Sequence, residues 1–400
     1  MSWAEVTLNE ICETQYGYTA SATDEPIGPK FLRITDIVNS TIDWGSVPYC
    51  PINENDLDKY LLRKGDIVIA RTGATTGYAK LIRENDTKAV FASYLVRLKL
   101  NQEIAYPGFV GRLLESHVYK KFVEGIKGGA AQPNANAKTL TLFKFTLPDI
   151  STQERIAENL STYDDLIKNN KQRIELLEES ARQLYKEWFV RFRFPGHEHV
   201  KIINGIPEGW VKYKISDVCV VGRGASPRPI QAYMDGDVPW FKIGDATASE
   251  SPFIFDTKEK VIDAGAKKSV YLPEGELILS NSATCGVPNF TGVSGCIHDG
   301  WLYFKDLKIV DKWFLYLYLV FKQKALLQGI GEGATQKNLN TTYVGNQELI
   351  VPDAENLLQV FTELVEPLFL QIQRLASYNR QLSKARDLLL PKLMSGEIVA

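Results

Sequence analysis

The sequence predicts an α+β chain: two similar modules separated by two long helices that form an intramolecular antiparallel coiled coil, pseudo-two-fold symmetric. Three observations carry this prediction. A heptad seam runs through Ser151 to Phe192, a second seam runs on from Phe361, and the segments before each seam repeat the same landmarks in the same order. The predicted boundaries are residues 1–150 and 209–353 for the modules, 151–193 and 354–396 for the helices, and 194–208 for a linker.

In the first helix the seam positions are Ile156, Leu160, Tyr163, Ile167, Asn170, Ile174, Leu177, Ala181, Leu184 and Trp188. They are spaced by alternating steps of four and three, the mark of a coiled-coil helix. At about 1.5 Å per residue the rod would be roughly 60 Å long. Ser151 and Glu154 have capping-box spacing at its start. In the second helix the series is Phe361, Val365, Leu368, Ile372, Leu375, Asn379, Leu382, Arg386, Leu389 and Leu393. Asn170 is fifth in its series and Asn379 sixth in the other, so an antiparallel pairing with full overlap brings them together. A polar pair in an apolar seam costs stability and specifies register. The same register places Trp188 near Phe361, and Arg386 near Tyr163, over its ring or reaching water. Pro367 removes a backbone donor and is expected to kink the second helix.

The modules read in parallel. The first opens at Trp3-Ala-Glu-Val-Thr-Leu and continues through Phe31-Leu-Arg-Ile-Thr-Asp. Next come the turn and strand Arg63-Lys-Gly-Asp-Ile-Val-Ile-Ala-Arg-Thr-Gly, a strand over residues 91–100 and a helix over residues 107–123. A Gly-rich loop at Gly125-Ile-Lys-Gly-Gly and a strand ending Leu147-Pro-Asp complete it. The second module answers with Trp210-Val-Lys-Tyr-Lys-Ile, Trp240-Phe-Lys-Ile-Gly-Asp, Glu274-Gly-Glu-Leu-Ile-Leu-Ser-Asn-Ser, a helix over residues 312–327, Gly329-Ile-Gly-Glu-Gly and Val351-Pro-Asp. The offset is 207 at Trp3/Trp210, 210 at Gly65/Gly275 and 204 at Gly125/Gly329, so small insertions separate two copies of one unit. A period this long is not that of a solenoid. Residues 194–207, rich in Pro and Gly and without periodicity, read as the linker. Two unlike heads on a symmetric frame suit two unlike DNA half-sites, since two-fold readers space their heads by about one helical turn, roughly 34 Å.

Composition narrows the class. The formal net charge is −2, which argues against a strongly basic protein that binds nucleic acid unaided. The longest apolar run, residues 313–321, is too short to cross a bilayer. The N-terminus lacks a signal-peptide pattern. Five scattered cysteines, Cys12, Cys50, Cys219, Cys285 and Cys296, fit a reducing compartment, so a cytoplasmic location is expected.

Taken together, the duplicated order, the matched strings, Arg71-Thr-Gly-Ala-Thr-Thr-Gly, Gly333-Ala-Thr-Gln-Lys-Asn-Leu, Leu147-Pro-Asp before Gln153-Glu-Arg-Ile-Ala, and Leu390-Pro-Lys-Leu-Met-Ser-Gly-Glu-Ile resemble the DNA-specificity subunit of type I restriction–modification enzymes. The resemblance spans essentially the whole chain. It implies two target-recognition domains, each reading half of a gapped double-stranded DNA site, and two spacer helices that dock two methyltransferase subunits. Restriction/translocase subunits would join for cleavage. The resemblance implies no cofactor in this chain, S-adenosylmethionine belonging to the methyltransferase partner; the short apolar runs already argue against a membrane partner. The sequence departs from the strict pattern where Ala131 answers Thr335.

Candidate DNA contacts follow from chemistry and position. Arg71, Thr72, Thr75, Thr76 and Tyr78 lie on a glycine-bearing turn that reads either as a DNA-contacting loop or as a hairpin with satisfied hydroxyls. Arg223, Ser226 and Arg228 lie on a Gly/Pro-shaped loop, where arginines either probe a groove or are simply solvated. Gln132 and Asn134 in the first Gly loop, and Thr335, Gln336, Lys337 and Asn338 in the second, offer amides suited to adenine edges. The plainer reading of these loops is a helix-capping turn. Arg33, Lys242, Asn281 and Ser282 complete the candidates. Charges on the helices, Lys168, Lys171, Arg173, Lys384 and Arg386, read as solvated faces that also suit DNA or partners. No catalytic or metal residue is predicted. His197-Glu-His199 sits in the linker, and Cys285, Cys296 and His298 read as packing residues. No phosphate-loop or nuclease motif is present. The alternative is a two-headed protein-binding scaffold with a coiled-coil spacer; an enzyme with a pocket in each module lacks the motifs it would need.

Overall fold

The run Ile67-Val-Ile-Ala is buried at all four positions, so its strand must have a core on each face. Successive side chains point to opposite faces. Ile67 and Ile69 join one cluster with Val96, Leu98, Phe109 and Val110, while Val68 and Ala70 join another with Leu32, Ile37 and Phe91. The second copy repeats the device: Leu277 and Leu279 enter one core and Ile278 another.

The computed structural model describes residues 3–38, 41–83, 87–126, 135–282, 284–328, 338–353 and 355–398. The chain divides into two units, Met1–Asp165 with Lys384–Ala400, and Leu166–Ser383. Each long helix contributes to both units, whereas the sequence reading set the helices apart from the modules. The reason is packing. Ile156, Leu160, Leu393 and Met394 belong to the same core as the first module's strands, and Trp188, Phe361 and Phe369 to that of the second module.

In the first unit, Ala4–Thr7 pairs antiparallel with Lys144–Leu147 and so closes the module. A sheet runs in the order Cys12–Tyr16, Leu95–Leu100, Ile67–Ala70, Ala79–Leu81, all antiparallel. Lys30–Leu32 lies parallel to Ala89–Phe91. In the second unit, Trp210–Lys214 pairs with Glu348–Pro352. The equivalent sheet is Val220–Arg223, Trp301–Lys305, Leu277–Ser280, Pro288–Thr291, extended by Phe253–Ile254. Met234–Phe241 runs parallel to Gly295–Ile297. Gly65 (φ +93°) and Gly275 (φ +83°) turn the chain into the buried strand of each copy, a conformation glycine adopts at little steric cost.

Several local expectations change. The single strand expected over residues 91–100 is two, Ala89–Phe91 and Leu95–Leu100, in different sheets. A turn closed by Leu95 N–H on Ala92 O parts them. The helix expected over residues 107–123 breaks into Pro107–Glu115 and His117–Ile126. Ser116 causes the break: its hydroxyl donates to Leu113 O at 2.6 Å and accepts Val118 N–H at 3.2 Å, ending one helix and starting the next. Its counterpart Lys312–Gln328 is unbroken. Residues 194–208 are not structureless, since Ile202–Ile203 and Ile206–Pro207 form a small hairpin.

The first long helix, Ile150–Tyr185, begins at Asp149 rather than with the Ser151/Glu154 box. Asp149 accepts from Thr152 N–H at 3.0 Å and from the hydroxyls of Ser151 and Thr152 at 2.6 and 2.9 Å. These bonds hold its carboxyl down at about 2. Gln153 is fully buried and ties the helix to the module, accepting Tyr106 N–H at 2.7 Å and donating to Ile104 O and Pro148 O. The helix ends in a π-helical turn, Lys186–Val190, short of the expected residue 193. The widened turn buries Phe189 as well as Trp188. The second helix, Glu355–Met394, continues through Pro367. Val365 and Phe369, both fully buried, hold it on either side of the missing donor.

The helices run antiparallel in both units. In the second unit Asn170 Nδ2 donates to Asn379 Oδ1 at 2.8 Å, and the rings of Trp188 and Phe361 lie 5.6 Å apart. In the first unit Arg386 departs from expectation. Instead of Tyr163 it engages Asp164, at 2.8 Å, because a carboxylate one residue along offers a charged acceptor. Replacing Asn170 alone with Leu should strand the Asn379 amide and cost about 1–2 kcal/mol. The double Leu variant should regain or exceed the original melting temperature while loosening register. Thermal unfolding of the single and double variants, with hydrogen exchange along both helices, checks this.

Candidate nucleic-acid interface

The candidates fall mainly where the buried strand of each copy ends. In the first unit the strand delivers Arg71. Its N–H donates to Tyr94 O at 3.0 Å, and its carbonyl accepts Ala135 N–H at 2.9 Å. Its guanidinium donates to Ser93 O at 3.4 Å and lies 4.9 Å over the Tyr16 ring. In the second unit the strand delivers Asn281. Its N–H donates to Gly300 O at 2.8 Å, and its carbonyl accepts Leu339 N–H at 3.0 Å. Its amide donates to Asp299 O at 3.1 Å. Arg71 and Asn281 are therefore equivalent, as are Ser93 and Asp299. The adjoining edge strands end at Tyr16 and Arg223, each followed by a glycine closely packed on main chain. A Cβ on Gly17 would lie 2.2 Å from Ala92 O, and one on Gly224 2.2 Å from His298 O.

Around Asp299 the second unit gathers three charged or polar side chains besides Asn281. Arg223, exposed, donates from Nε to Asp299 O at 2.8 Å. The Ser226 hydroxyl donates to Asp299 Oδ1 at 2.7 Å, and His298 Nε2 lies 2.8 Å from the same oxygen. His298 Nδ1 accepts Gly300 N–H at 2.9 Å, so in the neutral ring the proton sits on Nε2 and is given to Asp299. Burial pushes the imidazole below its ordinary value. Lys242 and Arg223 act in the same sense, and Asp299 and Glu259 oppose them. A histidine with a depressed value contributes stability above its unfolded value near 6.5, lost as pH falls through the folded value. Between pH 7 and 5 the second unit should therefore lose about 1 kcal/mol, the worth of the bond to Gly300. His298→Gln should flatten that slope in pH-dependent melts.

The remaining candidates divide by what already occupies them. Thr76 is buried and its hydroxyl donates to Gly73 O at 2.7 Å, so it shapes the turn. Thr72 is half-buried, and the buried Thr75 hydroxyl has no hydrogen-bond partner among the described residues. Tyr78 carries the Lys120 ammonium 4.6 Å over its ring. Arg33 is clamped by Asp36, which takes its N–H, Nε and Nη2. Those bonds raise its pKa further. Lys242 answers it in the second copy: Asp245 takes its N–H, and Glu259 its ammonium at 2.6 Å. Ser282 is half-buried, and Arg228 and Asn338 are exposed. Gln132, Asn134, Thr335, Gln336 and Lys337 lie outside the described residues. On the helices, Lys171 pairs with Glu250 at 2.6 Å and Arg386 with Asp164.

Sequence reasoning missed Tyr16, Ser93, His298 and Asp299 as parts of these sites. Their signal lay in the repeat: Gly17 and Gly224 sit 207 apart, matching the Trp3/Trp210 offset. Among the described residues, no group of three or more His, Cys, Asp or Glu side chains is placed to hold a metal, and no helix is long and apolar enough to cross a membrane.

A family model described as the type I restriction modification DNA specificity domain matches residues 1–179 and 207–364. The chain is 27% identical to the type I restriction enzyme MjaIX specificity subunit of Methanocaldococcus jannaschii, over 84% of this chain and 75% of that protein. It is 25% identical to the HindI specificity subunit of Haemophilus influenzae, over 92% and 94%. The fold is similar to a crystal structure of a type I restriction–modification S subunit from M. genitalium, with a TM-score of 0.61 at 16% identity, covering 98% of this chain and 96% of that one.

Proposed function

The chain belongs to the type I restriction modification DNA specificity family, and on that premise we propose that it is the sequence-specific DNA-recognition subunit of a type I restriction–modification complex. Each module reads one half of a bipartite, gapped DNA site. The paired helices set the gap and dock methyltransferase subunits, with restriction and translocase subunits joining for cleavage. The chain supplies recognition rather than catalysis. S-adenosylmethionine is bound, on this reading, by the methyltransferase subunits.

One observation carries the proposal: the same strand-end site is built twice on the same main-chain bonds but furnished differently, with Tyr16, Arg71 and Ser93 in one copy and Arg223, Asn281 and Asp299 in the other. A conserved frame with exchanged side chains is what two readers of different sequences require, because phosphate contacts position a protein while base-edge contacts specify sequence. With a net charge of −2, the chain alone should bind DNA weakly and with strong salt dependence.

The test is a methylome. The chain is expressed with the methyltransferase of its own system in a methylation-free host, and modified bases are mapped by single-molecule sequencing. A split motif with a fixed unread gap is the expected result. An active methyltransferase that marks no motif, or the same motif without this chain, overturns the reading and favours a protein-binding scaffold.

A further inference from the structure

We propose that each module docks one guanidinium on an equivalent main-chain carbonyl, Arg71 on Ser93 O and Arg223 on Asp299 O, and that this guanidinium reads a pair of acceptor oxygens or nitrogens on DNA. The inference rests on the DNA-recognition reading and names the residues that would carry it.

The two arginines reach the same place from different positions in the repeat. Arg71 follows the buried strand Ile67–Ala70, whereas Arg223 ends the edge strand Val220–Arg223. Their positional counterparts are Asn281 and Tyr16. In the first copy the Arg71 guanidinium lies over Tyr16, the residue standing where Arg223 stands in the second. In the first copy Arg71 Nη1 donates to the equivalent carbonyl at 3.4 Å, and in the second Arg223 Nε does so at 2.8 Å. The arginine comes from a different position in each copy, and its guanidinium reaches the equivalent carbonyl.

Folding does not explain Arg223. Asn281 already donates to Asp299 O at 3.1 Å, so that carbonyl has a partner without the arginine. The Asp299 carboxylate is taken up by Ser226 and His298 rather than by a bidentate pair with Arg223. Arg223 is exposed and anchored through Nε. Among the described residues its two terminal nitrogens have no hydrogen-bond partner. An anchored Nε fixes the plane of the guanidinium and turns its terminal N–H fork outward. That fork fits either O6 and N7 of a guanine edge or two oxygens of a phosphate. The N–H groups of Ala135 and Leu339 close on the carbonyls of Arg71 and Asn281.

The test uses the full chain assembled with its methyltransferase, carrying Arg223→Ala, Arg223→Lys, Arg71→Ala or Arg71→Lys, each checked by thermal melting. If guanine is read, Arg223→Ala relaxes the methylated motif at one base of one half-site and Arg71→Ala at one base of the other. Cognate affinity then falls roughly 5- to 150-fold, and Lys, which lacks the fork, does not restore the base. If phosphate is held, the motif is unchanged, affinity falls for every sequence, the slope of log affinity against log salt drops by about one, and Lys restores most of both. Folded variants that keep the wild-type motif, affinity and salt slope overturn the assignment, as does an effect confined to one module. A wild-type complex without a split motif would instead overturn the recognition reading itself.

Discussion

Asp164→Ala should destabilise the first unit by about 3 kcal/mol. The Asp164 carboxylate accepts from Arg112 at 2.6 Å and from Arg386 at 2.8 Å, joining a module helix to the C-terminal helix within that unit. Arg112 is only 6% exposed and, among the described residues, has one further side-chain hydrogen-bond partner, the Ser161 hydroxyl at 3.0 Å. Removing the carboxylate leaves a buried cation uncompensated, which typically costs 3–5 kcal/mol. Asp164 itself is 30% exposed, so water screens part of the loss and the lower end applies. Arg386→Ala should cost nearer 1 kcal/mol, since it leaves the tighter Arg112 pair intact. Burial pushes the Asp164 carboxyl up, but the two guanidinia outweigh burial and hold it below its ordinary value. Its contribution is therefore fully present above about pH 4 and is lost as pH falls through the lowered value. Denaturant unfolding of the full chain and the two variants at pH 7 and at pH 3 checks both the size and the sign.

Exchanging residues 209–353 for the corresponding module of a relative should replace one half of the methylated motif and leave the other half and the gap unchanged. The cut points suit this. Trp210–Lys214 pairs with Glu348–Pro352, and Asp353 N–H donates to Gly209 O at 2.8 Å, so both junctions fall at one place in the fold. The incoming module must keep the aromatic contacts that seat it on the helices. Phe314 lies 4.8 Å from the Phe189 ring, and Trp210 lies 5.7 Å from it. Without them the loss would be one of packing, since a buried aromatic truncated to Ala costs about 3–5 kcal/mol. Mapping methylated bases for the wild-type and exchanged chains measures the outcome directly. A motif changed in both halves, or in its gap, would refute independent reading by the modules.

Much of the architecture was legible because it is periodic. The heptad seam and the repeat spaced by about 205 residues are statements about spacing, and spacing survives without coordinates. Asn170 and Asn379 could be paired because each is the one asparagine in its seam and sits at a countable layer, and they meet at 2.8 Å. Turn glycines were legible for a similar reason, as Gly65 and Gly275 precede β-branched or apolar runs that need an entry turn.

What was not legible depends on which acceptor lies within reach. Arg386 turns to Asp164, one residue from where the seam placed it, because a charged hydrogen bond outweighs a ring contact. That the helix runs unbroken through Pro367 was not legible either; Val365 and Phe369, both fully buried, pack it on either side. The candidate site shows the same division. The residue types and the repeat could be read along the chain, including the arginines. That Arg71 and Arg223 occupy one site from unlike positions could not, because their shared anchor is a main-chain carbonyl, of Ser93 in one copy and Asp299 in the other. A carbonyl is present at every residue and leaves no mark in the sequence. Periodicity and duplication therefore belong to the sequence itself, while the partners of individual polar groups are decided only by the tertiary structure, where hydrogen bonding depends on a few tenths of an ångström.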